Sequence, residues 1–186
     1  MIHQVLPFLA KEINTFFKLK YDLNEDKVVL SNIVNPDGSL AIEEQNKVLL
    51  TMINVEEETT VRQGKAYIRS KNGSFSAVAP PVKVNLMLLF SAYFENKNYV
   101  EAMKFLSGII AFFQSHKNFT PQEYPALNGA VDRMLFEIVN LDINKLNNMW
   151  GVTGSKYIPS IAYRLKTIQI MEVGVSEEIG QVKGFG

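Results

Sequence analysis

Cysteine is missing from this 186-residue chain, and histidine and tryptophan are scarce, with two of the first and one of the second. Without cysteine there are no disulfides, no thiolate metal ligands and no thiol nucleophile. Such a chain suits a reducing cytoplasm. His3 lies beside the start and His116 at the end of an expected helix, and neither has a neighbour at metal-ligand spacing. A histidine-based triad therefore lacks support. Net charge is absent too. Lys+Arg and Asp+Glu stand at 19 each, which leaves no long-range field to draw in a polyanion, so a nucleic-acid partner is disfavoured. No apolar run approaches the length of a membrane span, and no membrane partner is expected. Lys11 and Glu12 interrupt the apolar start, with no basic leader or small-residue cleavage site, so synthesis and folding in the cytoplasm are expected.

Catalytic constellations are equally thin. Asn72-Gly73-Ser74 lacks the lysine and helix start of a phosphate-cradling loop. Glu43-Glu44 and Glu177-Glu178 are adjacent in sequence, so their carboxylates do not face each other as an acid–base pair would. Glu56-Glu57-Glu58 reads as a solvated rim, because three neighbouring carboxylates repel and seek water. No catalytic, cofactor-binding or metal-binding residue is assigned, no cofactor is expected, and the chain is not read as an enzyme.

What is present is an ample core. The apolar fraction is 47%, enough for one folded domain of this length. Residues 2–18 predict an amphipathic helix through Ile2, Leu6, Leu9, Ile13 and Phe17, with Pro7 near its first turn. Val28 to Ile33 predicts a short strand, stopped by Asn35-Pro36-Asp37-Gly38. Residues 47–56 predict a strand apolar on both faces, buried on two sides or used in assembly. Residues 57–79 fit a hairpin or mobile loop, with a small strand at 66–69. Pro80-Pro81 then launches Val82 to Phe94. Helical spacing can be argued for that run, but the diproline start favours a strand.

Asn98 and Glu101 have capping-box spacing for a helix over 99–116. Its apolar stripe is broad, which implies burial on more than one side or a partner contact. Residues 131–140 and 161–173 predict two further strands. The order predicts an α+β domain over 1–173, a mixed or antiparallel sheet packed on one main helix and the N-terminal helix. Residues 174–186 are expected to be a flexible tail, mobile in the free protomer. Val175, Ile179, Val182 and Phe185 are left available to a neighbour as a candidate assembly interface.

The most informative stretch is the last third. Leu141-Asp142-Ile143 to Met149-Trp150-Gly151 reads as a short capped helix carrying the only tryptophan, with Gly151 opening the turn. Trp150 is weighed as a ring that locks the helix onto a sheet against a stacking platform for a ligand, and the first reading is preferred. Tyr157 and Tyr163 read as rings on the core with hydroxyls near the surface, and Pro159 as a strand start that needs no ladder N–H. These four residues are the expected structural anchors.

Several segments together resemble a known family. They are Val28 to Ile33, Ile53 to Glu58, Pro80 to Tyr93, the helix from Tyr99 to Leu106, and Trp150 to Tyr163. In order and spacing they are similar to the cap, or tail-terminator, proteins of extracellular contractile injection systems. That class includes antifeeding prophages and Photorhabdus virulence cassettes. The resemblance implies a tail-terminator-like fold and a six-fold ring of identical subunits on the distal end of the tube and sheath. Such a ring ends polymerisation and fixes sheath to tube, with sheath and tube proteins as partners. It further implies a place in an assembled, phage tail-like particle that is released extracellularly. Several members of that class continue past the final strand, so this chain reads as a minimal cap or as one of two cap paralogues. Two rival expectations stand beside it. One is a small-molecule-binding or enzymatic domain with a pocket between helix 99–116 and the sheet. The other is a head-to-tail completion adaptor of another phage-like machine.

Overall fold

The computed structural model describes residues 2–58, 66–69, 75–78, 82–127, 131, 133–170 and 175–179. Helix α1 (Ile2–Tyr21) comes first. Val5, Leu6, Leu9, Ala10, Ile13 and Phe17 recur every three or four residues and form one buried stripe. Pro7 stands in the second turn, deeper than the sequence suggests, so the helix forgoes one backbone bond there. Asp22, at φ +54, then turns the chain away from the helix, a conformation that Asp adopts more readily than most residues.

The main sheet has six strands. They are β1 (Val28–Leu30), β2 (Lys47–Glu57), β5 (Val82–Tyr93), β6 (Asn118–Phe119), β7 (Met134–Val139) and β8 (Ser160–Ile170). Their spatial order is β1-β2-β5-β8-β7-β6, with β1 and β2 parallel and every other pair antiparallel. Strands β5 and β8 are thus neighbours at the centre of one mixed sheet, as expected of the runs 82–94 and 161–173, of which residues 171–173 lie outside the described ones. Between β2 and β5 the chain forms the hairpin β3 (Ala66–Arg69) and β4 (Phe75–Val78). Strand β9 (Val175–Ile179) pairs with β4 to make a second, three-stranded sheet. Sequence periodicity placed no strand after residue 174. Short strands on a sheet edge are specified by their partner more than by their own pattern.

Alternation along β5 separates two cores. Val84, Leu86, Leu88 and Phe90 meet α1 and α2 (Tyr99–Ser115), together with Val48, Leu50, Tyr163 and Leu165. Leu89 points the other way and joins Ile33, Ala162 and Trp150 of α3 (Ile143–Thr153). The central strands are therefore covered on both faces, which is why they read as apolar runs. In β2 this holds only for Lys47 to Thr51, and the half beyond the register shift at Met52/Asn54 alternates into solvent.

Helix α2 buries Phe105, Ile109 and Phe112 and leaves Tyr99, Val100 and Ile110 exposed. Its N-terminus departs from the capping-box expectation. Asn98 ends a short 3-10 turn, and its side-chain amide donates to Asn46 Oδ1 at 3.0 Å instead of capping the helix. Asn46 is held at φ +65 and also accepts from the Glu95 N–H at 3.3 Å. The Asn98 side chain thus serves a tertiary contact in place of a local cap.

Candidate assembly surfaces

Asp142 caps α3 by accepting the Lys145 N–H at 2.9 Å, the local geometry its spacing predicts. The backbone N–H of Lys145 holds the Asp142 carboxyl below its ordinary range. The helix runs one turn past Trp150. Gly151 is helical, and the turn falls instead at Gly154, at φ +70. Trp150 lies over the sheet with 5% of its surface exposed, against Ile33, Leu89 and Ala162. Leu141 and Leu146 pack on the same cluster.

The other expected anchors divide. Tyr163 is buried at 4% exposure between Phe90 and Phe113, with ring centroids 5.9 and 4.3 Å away. Burial raises its phenol above the usual range. The Pro159 carbonyl accepts the Ala92 N–H at 2.9 Å, so proline opens β8 without needing an N–H of its own. Tyr157 departs from expectation. It is 61% exposed and touches Trp150 edge-on at 5.8 Å from outside. The indole already occupies the sheet face, so the tyrosine covers it and does not reach the core. Of the tail residues, Val175 and Ile179 belong to β9, whereas Val182 and Phe185 lie outside the described residues.

The space between α2 and the sheet, where a ligand pocket was the rival expectation, is filled by Phe105, Ile109, Phe112 and Phe113. Phe113 meets Phe136 at 4.6 Å, and Phe112 stacks on the His116 ring at 4.5 Å. Among the described residues no three His, Asp or Glu converge in a way that could hold a metal ion. Glu57 is exposed, Glu58 accepts from Asn85 Nδ2 at 2.9 Å, and Glu56 lies 3.7 Å from Arg164 Nε, too far for a hydrogen bond.

A charge cluster ties the connection after α1 to the start of β2 and to α2. Glu25 meets Lys27 Nζ at 2.7 Å and Lys47 Nζ at 3.3 Å. Lys47 also reaches Glu44 at 3.2 Å and donates to the Asp26 carbonyl at 2.8 Å, while Lys27 lies 3.9 Å from Glu101. Hydrogen bonds from Lys27 and Lys47 hold the Glu25 carboxyl below its ordinary range. Burial pushes the Lys47 ammonium down, but Glu44 and Glu25 together hold it above its usual value.

The two edges of the main sheet differ. Beside β1 runs an open groove of about 560 Å³ lined by Ala10, Lys11, Asn14, Thr15, Lys18 and Leu30, among others. Asn14, buried in the α1 stripe, reaches the edge of β1. Its Oδ1 accepts the N–H groups of Lys27 and Val28 at 2.9 and 2.8 Å, and its Nδ2 donates to the Val28 carbonyl at 2.8 Å. Sequence reasoning missed this residue. Its signal was a lone amide on an otherwise apolar helical face. On the opposite edge, β6 pairs with β7 only at Met134 and Leu135, leaving Phe136 to Val139 as the border, with Ile138 51% exposed.

No curated protein matches the chain. Among solved structures it is similar to the sheath/tube terminator of an extracellular contractile injection system, PVC, in the extended state. The TM-score is 0.64 at 15% identity, over 100% of this chain and 62% of that one. It is also similar to the tube-terminating cap of the anti-feeding prophage, with TM-score 0.55 and 14% identity, over 96% of this chain and 59% of that one. The chain thus spans about three fifths of each of those chains. Its fold is that of a tail terminator, an α+β domain around one six-stranded mixed sheet. Residues 4–183 match the family described as the Pvc16 N-terminal domain, and the chain belongs to that family.

Proposed function

We propose that this chain is a structural cap of a contractile injection system. It forms a ring of six copies on the distal end of the tube and sheath, ends their polymerisation and holds one to the other. The observation that supports this reading is the likeness, over 100% and 96% of its length, to a sheath/tube terminator and a tube-terminating cap. Its role is that of an assembled surface and not of a catalyst. Aromatic packing that fills the space between α2 and the sheet agrees with that. Exposed apolar side chains at Val100, Ile138, Ile143 and Val152 supply the surface that ring contacts would bury. Residues 174–186, with Val175, Ile179, Val182 and Phe185, are proposed to order fully against a neighbouring subunit.

The reading is tested by deleting the gene in a strain that produces the particles and imaging what it assembles. Tubes of irregular length and sheaths that detach are expected. Particles of unchanged length and sheath stability would overturn it.

A further inference from the structure

The two edges of the sheet are built to opposite ends. Lys27 and Ser31 bond inward to β2, through the Val48 N–H and the Leu50 carbonyl. In a parallel strand the groups of alternate residues face opposite sides, so Val28 and Leu30 face outward. An added seventh strand would have to bond there. The outward groups of Val28 are already taken, both of them by one side chain, the amide of Asn14, which donates and accepts as a peptide unit does. Helix α1 lies against β1, with a groove opening between them, and Asn14 is the side chain through which α1 takes these edge bonds. Two further features of a guarded edge accompany it. β1 has only three residues, and Lys11 and Lys18 stand over the groove, with Asp26 bonded to Lys18 at 2.8 Å.

We propose that Asn14 is a blocking residue, which closes the β1 edge to strands from other subunits and leaves β7, whose outer side from Phe136 to Val139 is unpaired among the described residues, as the edge open to extension. A polymer linked by shared strands can then add to this sheet from one side only. The bearing of that polarity on termination rests on the cap reading, but the block itself does not.

The test uses the full chain, alone, in sedimentation velocity across a range of concentrations, with amide exchange at Leu30 followed in parallel. Asn14→Ala removes the block. It is expected to form species heavier than the parent's, with exchange at Leu30 slowing as concentration rises. Asn14→Asp keeps an acceptor for both N–H groups and sets a charge on the edge, so it is expected to retain the parent's association state. Ile13→Ala disturbs the same helix face but leaves the amide in place, and should also retain it. Should Asn14→Ala not fold, Asn14→Ser, too short to reach Val28, is read the same way. The proposal fails if the folded alanine or serine variant sediments as the parent does, or if Ile13→Ala or Asn14→Asp gains the same heavier species. These outcomes do not depend on whether the particle's tubes are capped.

Discussion

Trp150 concentrates the energetics of the second core, because one indole covers Ile33, Leu89 and Ala162 at once. Truncation to alanine should cost roughly 3–5 kcal/mol of stability, read by urea unfolding followed by circular dichroism. A variant with an unchanged urea midpoint would show that the ring carries no packing load. Gly108 is the second residue where one atom decides. A Cβ there would lie 2.8 Å from both Phe17 Cε1 and the Tyr21 hydroxyl, at the crossing of α1 and α2. Both rings are held by aromatic neighbours, Phe105 among them, so neither yields freely. Gly108→Ala should therefore destabilise by about 1–3 kcal/mol despite its better helix propensity. A thermal melt distinguishes the two effects, since a rise in Tm would mean that the crossing relaxes without strain.

At the scale of elements, the Glu25 cluster adds charge pairs between the turn before β1 and the start of β2, and through Lys27 reaches the first turn of α2. Its contribution depends on pH with a definite sign. The folded carboxyl titrates below its unfolded value, so the stabilisation is complete above the unfolded pKa, about 4.3, and is lost as pH falls through the folded one. The group is largely exposed, so water and salt screen the pair and the effect is small. Glu25→Gln should lower stability near neutrality and converge on the parent in acid. Urea midpoints measured from pH 7 to pH 3 give the comparison. A constant gap between the two proteins would assign the loss to packing and not to charge.

Across the whole molecule, β9 pairs with β4 of the hairpin between β2 and β5, its one strand partner among the described residues. The main sheet does not use it. Deleting residues 175–186 should therefore leave a cooperative fold with the parent's near-ultraviolet signal from Trp150, while capping of tubes in a producing strain is impaired. Loss of the near-ultraviolet signal on deletion would make β9 part of the folding unit. Tubes of normal length with normal caps would count against any role for the tail.

Sequence alone determined the elements whose pattern reports their own surroundings. Strands β5 and β8, helices α1 and α2 and the Asp142 cap follow from alternation, helical spacing and a side chain that bonds three residues on. The ordered segments that resemble a tail terminator lie on this same frame. The structure alone decided matters that depend on distant partners. Asn98 turned from its helix to Asn46, because the fold sets the Asn46 Oδ1 within reach of its amide N–H. Tyr157 stayed outside, because Trp150 had taken the sheet face. Strand β9 formed where its own residues carry little signal, because β4 offers an unpaired ladder. Asn14 bonds the edge of β1 because the fold brings residues 14 and 28 together, which no spacing along the chain can express.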